Sequence, residues 1–518
     1  MTTKRKYYNT FIIFFISILL VLSIGCSPIP EHESGEKPHK YDSSDEITID
    51  VKNERVTIMS SIPKEDEGVL IDEEPTFPKE IINSEDGRVT FELNNEPIYI
   101  LDGELPNEPI LVGEKSPFGI HPIGREHGNL NVLNARKIGL EWDRPGHYFF
   151  HNYVQKDITR DEYDWSFYDR MVSNMPKDIN LVVNIDLFKP LPDDLPDIGD
   201  VMQGEHIEFG VEEGFKKEGS FMPADPEAYS KWVKALVQRY NGDGVNDMPG
   251  LENPIRYWQV ENEPFGRGDK SPKDYTEFVR LTSKAIKDAD PNAKVIIGGH
   301  HSLPMDVDVS GIPEHVMAPI ESYNKYFRPA LEELSNGEID IVDIHYFGGN
   351  FDQGIKRVIQ DVEEIFGEDF PIWITEFGTY SGQPEGFHFQ SERMQAMFLV
   401  KTLTRGFHYD IEKMFWSWGL YEGYGDIHAN DQFDNTGLIY NGIGPHDSGK
   451  GVKKLSFWSY EKIISLLQYW NGESPEMIES EDDIIIIKFP LGKNGESDLY
   501  IVWEELTKEQ IRDINIQP

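Results

Sequence analysis

Between Pro117 and Tyr469 short apolar runs alternate with longer helical patterns, and this alternation restricts the fold more than any other feature of the chain. The apolar runs are Phe118–His121, Leu140–Arg144, Ile179–Asp186, Ile255–Glu261, Lys294–Gly299, Ile339–Tyr346, Pro371–Glu376 and Lys413–Trp418, which makes eight. Most are apolar nearly throughout, as strands buried on both faces of a parallel sheet must be. Helical patterns lie between or after them at Pro226–Tyr240, Pro272–Ala289, Phe351–Phe366, Glu392–Phe407 and Ser456–Tyr469. Ser271 and Pro272 supply a helix start signal. Eight strands alternating with helices predict an α/β fold, a (β/α)8 TIM barrel over residues 114–471, with its chemistry at the C-terminal rim.

The flanks read differently. Residues 46–113 hold short β-type runs such as Ile47–Val51, Arg88–Leu93 and Pro97–Leu101, and predict a small β-rich appendage. Residues 472–518 predict a C-terminal β-hairpin, with Ile484–Ile487 and Leu499–Trp503 flanking a turn at Gly492–Gly495. At the other end, Lys4, Arg5 and Lys6 precede an apolar run from Phe11 to Ile24 that is short for a membrane span, which is the anatomy of a signal peptide over residues 1–25. Leu22-Ser23-Ile24-Gly25-Cys26 resembles the cleavage box of prokaryotic lipoproteins, which implies lipidation at Cys26 and an extracytoplasmic, membrane-anchored protein. Residues 26–45 are polar and Pro-containing with no apolar period, and read as a flexible tether.

Charge narrows the partners. The chain has 92 acidic and 49 basic side chains, for a net charge of −43, which repels nucleic acid and anionic lipid headgroups. A neutral oligo- or polysaccharide meets no such barrier, and the only membrane contact expected is the anchor at Cys26. Cys26 is the sole cysteine, so there is no internal disulfide, and no phosphate-binding loop or zinc signature is present. No cofactor is expected.

A carboxylate that closes a buried strand is placed at lowest cost on the barrel rim. Two runs end this way. The fourth strand runs out into Val260-Glu261-Asn262-Glu263-Pro264, and the seventh into Ile374-Thr375-Glu376-Phe377-Gly378. Strands four and seven lie on different sides of an eight-stranded mouth, so their terminal side chains meet across it. Two facing carboxyl groups suit glycoside hydrolysis, one as acid and one as nucleophile or stabiliser, and the more desolvated of the pair is expected to keep the proton. Strand alternation leaves open whether Glu261 or Glu263 enters the mouth.

Asn262-Glu263-Pro264 on strand four with Glu376 on strand seven resembles the clan A retaining glycoside hydrolases, including their xylosidase-like and endoglucanase-like branches. The likeness covers most of residues 117–470 and also takes in Tyr163-Asp164-Trp165 and Trp258-Gln259. It implies Glu263 as acid/base, Glu376 as nucleophile and Asn262 as the partner of the sugar 2-hydroxyl. It also implies substrate-binding roles for His345 and Tyr346 on strand six, for Arg144 near the nucleophile, and for Trp416 as an aromatic floor. Many clan members carry a tyrosine two residues after the histidine, where this chain has Phe347. Trp418 alternates onto the same face as Trp416 and is a second stacking candidate. His121 and Asp186 end strands one and three.

Asn241–Asp247, with Asp243 and Asp247 among its glycines, resembles calcium loops of extracellular proteins but departs from EF-hand spacing, and a turn of this composition needs no metal. The function expected is retaining cleavage of β-linked glycosides or polysaccharides. A catalytically idle sugar-binding lipoprotein and a transglycosylase using the same covalent intermediate are the alternatives. Oligomeric state, the sugar and the linkage are not legible.

Overall fold

The computed structural model describes residues 46–64, 75–93, 96–123, 129–187, 215, 217, 219–265, 271–304, 321–423, 430–443, 447–479 and 484–505. Residues 1–25, expected to be a signal peptide, and residues 26–45, expected to be a tether beginning at Cys26, lie outside the described residues. Among the described residues no helix is long and apolar enough to cross a membrane.

Eight parallel strands stand side by side in chain order: Phe118–His121, Trp142–Asp143, Asn180–Asp186, Tyr257–Val260, Lys294–Ile297, Val342–Tyr346, Ile372–Phe377 and Lys413–Ser417. The eighth pairs with the first, Met414 opposite Phe118 and Ser417 opposite His121. The fifth and sixth meet through parallel bridges from Ile296 to Ile341 and from His300 to Ile344. The sheet therefore closes, and the fold is a (β/α)8 TIM barrel with β-rich regions from both ends of the chain. Strand two is shorter than its apolar run, so Arg144 stands just beyond the last paired residue.

Helices cover the outside because each hides one apolar stripe against the strands. Pro226–Tyr240 buries Trp232, Val233, Leu236 and Val237, and Asp225 caps it by accepting from the amides of Glu227 and Ala228. Phe351–Phe366 is capped in the same manner by Asn350 and stops at Gly367, whose φ of 96° suits a residue without a Cβ. Inside the barrel, Trp142, Val182, Ile296, Ile341, Trp373 and Phe415 form a separate apolar cluster near the N-terminal ends of the strands. This floor leaves the opposite end for polar groups.

The two β-rich ends are one structure. Ser497–Glu504 pairs with Ile484–Leu491 as a hairpin and, on its other edge, with Ile98–Asp102, so strands almost four hundred residues apart share a six-stranded sheet. Glu46–Asp50 and Arg88–Glu92 make a separate antiparallel pair whose apolar side chains pack with that sheet.

Candidate active site

Alternation along each strand decides which side chains enter the barrel. On strand six Asp343 and His345 point inward and Ile344 and Tyr346 outward; on strand four Gln259 points inward. Strand four ends at Val260, and the following chain leaves the pleat, with φ of 69° at Glu261 and 46° at Glu263. Left-handed backbone at two glutamates is a costly local arrangement of the kind found where function dictates geometry. It settles the ambiguity between them. The Glu261 carboxylate folds back to accept from the Asn262 amide, while Glu263 reaches the mouth.

The two carboxylates meet over His345. Its Nδ1 lies 2.8 Å from Glu263 Oε1 and 3.8 Å from Glu376 Oε2, and one ligand atom from each of the three residues falls within 4.8 Å of the others. Arg144, fully buried, forks across the same space: Nη1 donates to Glu376 Oε1 at 2.7 Å, Nη2 to Asn262 Oδ1 at 2.6 Å and Nε to Gln259 Oε1 at 2.7 Å. Gln259 in turn donates to Asp343, which also accepts from the amide and hydroxyl of Thr375 and faces His345 Nε2 at 3.4 Å. His121 closes the ring, with Nε2 3.6 Å from Glu376 Oε1 and Nδ1 2.6 Å from the Arg144 carbonyl. Every buried charge here has an opposite charge or a hydrogen-bond partner, the condition under which charges survive burial.

Burial alone would strip His345 of its proton; the carboxylates of Glu376, Asp343 and Glu263 outweigh that and push its pKa up to about 10. Glu376 moves upward from its ordinary value because it is buried and faces Glu263, while His345 and Arg144 pull the other way. Among the described residues Glu263, His345 and Glu376 form the one cluster whose spacing would suit a metal ion. Both ring nitrogens of His345 already face carboxylates, Nδ1 that of Glu263 and Nε2 that of Asp343.

The structure brings Arg144, Asn262, Glu263, His345 and Glu376 together and corrects two other assignments. Tyr346 faces out of the barrel, stacks on Phe398 and donates to the Gly349 carbonyl at 3.0 Å, so it is a core residue. Trp416 is likewise turned outward, packed on Phe377 and Phe398 with its indole N–H on the Thr436 carbonyl, and offers no floor to a sugar. Trp418 does lie at the mouth, 5.1 Å from the His121 ring, after a cis peptide from Ser417. The Asp243 and Asp247 carboxylates do not converge: they accept from the amides of Val245, Gly242 and Gly244 and so close an ordinary turn. Asp186 accepts from the Leu187 amide.

Sequence reasoning gave no role to Gln259, Asp343 or Thr375. The signal was present, since Gln259 and Asp343 are polar residues inside buried strands, in register with inward-facing neighbours.

A family model described as the glycosyl hydrolase catalytic core matches residues 309–444. No curated protein sequence is similar enough to match the chain. Among solved structures, a family 39 glycoside hydrolase from the gut symbiont Bacteroides cellulosilyticus WH2 is similar over 88% of this chain and 85% of its own, at 16% identity and a TM-score of 0.53. A GH39 β-xylosidase from Caulobacter crescentus is similar over 74% of this chain and 79% of its own, at 15% identity and a TM-score of 0.44. A glucosidase from Croceicoccus marinus covers 74% of each chain, at 16% identity and a TM-score of 0.47. With the glycosyl hydrolase catalytic-core match lying across strands six to eight of a closed barrel, and acidic groups paired at the ends of strands four and seven, the match and the site together support a glycoside hydrolase.

Proposed function

We propose that this enzyme cleaves β-linked glycosides with retention of configuration, Glu376 acting as nucleophile and Glu263 as acid/base. One observation carries the reading: carboxylate oxygens of Glu263 and Glu376 fall within 4.8 Å of each other. Retaining enzymes hold their carboxyl groups about 5 Å apart, whereas inverting ones need roughly 6.5–9.5 Å to admit a water.

Burial by itself argues for the opposite division of labour, because the Glu376 side chain is 1% exposed and that of Glu263 21%. Two further facts reverse it. Arg144 is bound directly to Glu376, which favours the anion there. The acid/base must exchange a proton with water in each cycle, and Glu263 is the one solvent reaches.

In the first step Glu376 attacks the anomeric carbon as Glu263 gives its proton to the departing oxygen. The glycosyl ester on Glu376 is then attacked by water, which Glu263, now a carboxylate, deprotonates. In this reading Asn262, held by Arg144, binds the 2-hydroxyl and Trp418 stacks on the sugar face. On the leader and Cys26 alone we further propose that the enzyme is lipid-anchored outside the cytoplasm. Proton NMR of an aryl β-glycoside digest tests the mechanism: the first product should carry the β configuration, and an α product contradicts it.

A further inference from the structure

We infer that Asp343 is a positioning residue for the acid/base: acting through His345, it holds the Glu263 carboxyl so that its proton goes to the departing oxygen. The inference rests on the glycosidase reading above and deepens it.

Asp343 is fully buried, two residues deeper along strand six than His345, and groups from three strands fix its carboxylate. The Thr375 amide donates to Oδ1 at 2.9 Å, and the Thr375 hydroxyl donates to Oδ2 at 2.6 Å. The side-chain amide of Gln259 donates to Oδ2 at 2.5 Å, and His345 Nε2 stands 3.4 Å from the same oxygen. The backbone reserves the space for this pair. A Cβ on Gly299, just past strand five, would stand 2.3 Å from His345 Nε2 and 2.5 Å from Asp343 Oδ2, so any larger residue there would drive the two apart.

Because the Thr375 hydroxyl gives its hydrogen to Asp343, His345 Nε2 faces two acceptor oxygens, Asp343 Oδ2 and Thr375 Oγ1, each at 3.4 Å, and carries the hydrogen between them. The consequence falls on the other ring nitrogen. An uncharged His345 pinned in this way would present a bare Nδ1 to Glu263, 2.8 Å from Oε1, and would accept the proton that the leaving group needs. Burial works against a second proton on the ring, and the carboxylates of Glu376, Asp343 and Glu263 restore it. Nδ1 then donates to Oε1, and the acidic proton of Glu263 sits on Oε2, the oxygen that His345 does not hold. The ring keeps both hydrogens through the cycle, while Glu263 gives its proton to the departing oxygen and regains one from water.

The test is the leaving-group dependence of kcat/KM across aryl β-xylosides and β-glucosides, from 2,4-dinitrophenyl, which departs without a proton, to unsubstituted phenyl, which needs one. Asp343→Asn removes charge that keeps the proton on Nδ1, and it should cost about tenfold more on the phenyl glycoside than on the dinitrophenyl one, through kcat rather than KM. A residue that only filled space would lower both alike. Thr375→Val keeps every charge and loses one donor to Asp343, so it should move the same ratio in the same direction by a smaller factor; it decides the matter should Asp343→Asn not fold. A ratio unchanged from native in the folded variants overturns the positioning role and leaves the glycosidase reading intact. A native enzyme that cleaves no glycoside overturns both.

Discussion

The barrel buries positive charge at both ends, and the two ends treat it in opposite ways. At the floor, Lys413 lies 4.5 Å above the Trp142 ring and 5.4 Å from Trp373, donating to the carbonyls of Glu114 and Ser116. The half-exposed Glu412 carboxylate, 4.0 Å away, and the more distant Glu114 do not repay the desolvation, and burial lowers the ammonium to about 8. At the mouth, His345 is no less buried, yet three carboxylates raise it to about 10. A cation set mainly among π faces and carbonyls closes a core. A cation set among three carboxylates holds two facing acidic groups close together, and that is the raw material of acid–base chemistry.

The largest break in this comparison comes from the mouth. Glu376→Gln should lower kcat on the order of 10^4-fold or more with an unchanged melting temperature, because no other group forms the covalent bond. Glu263→Ala should cost roughly 10^2- to 10^4-fold on natural glycosides, and much less on aryl glycosides whose leaving group departs without a proton.

Arg144→Met sharpens it. Native kcat/KM should lose its acid limb at a pH above the ordinary glutamate value of 4.5, because Glu376 is shifted upward and must be ionised to attack. Removing the guanidinium takes away a group that lowers Glu376, so the limb moves to still higher pH; a limb that stays in place would show that Arg144 only fills space.

The smallest effect belongs to the floor. The folded-state lysine titrates near 8 against 10.5 when free, so between those values the unfolded chain binds the extra proton and stability rises with pH. The histidine does the reverse: its contribution is complete below 6.5 and is lost as pH climbs towards 10. Lys413→Met should leave catalysis untouched, raise or hold the melting temperature at pH 7 by about 1 to 2 °C, and abolish the floor's part of the alkaline trend.

What was legible follows the same division between local and distant information. The strands at Phe118–His121 and Ile372–Phe377 and the helices at Pro226–Tyr240 and Phe351–Phe366 were readable because apolar period and turn chemistry are local. Glu263 and Glu376 were readable because each closes a strand. Period two then misled at the rim: it put Trp416 beside Trp418, whereas only Trp418 reaches the mouth. The same rule, applied inside strand six, separates His345 from Tyr346 and would have exposed Asp343 as well. Which carboxyl is the more desolvated was not legible, because it depends on how far each strand end is buried and on the reach of Arg144 across the barrel, both set by the fold. The pairing of Ile98–Asp102 with Ser497–Glu504 has no local signal, since either strand fits any β partner of suitable length.

The central claim is that Glu376 forms a bond to the sugar. Incubation with a 2-deoxy-2-fluoro β-glycoside bearing a good leaving group, followed by mass spectrometry of peptic fragments, tests it directly. One fluoroglycosyl adduct is expected, on the peptide that contains Glu376. An adduct on Glu263, or steady turnover with no adduct, contradicts it.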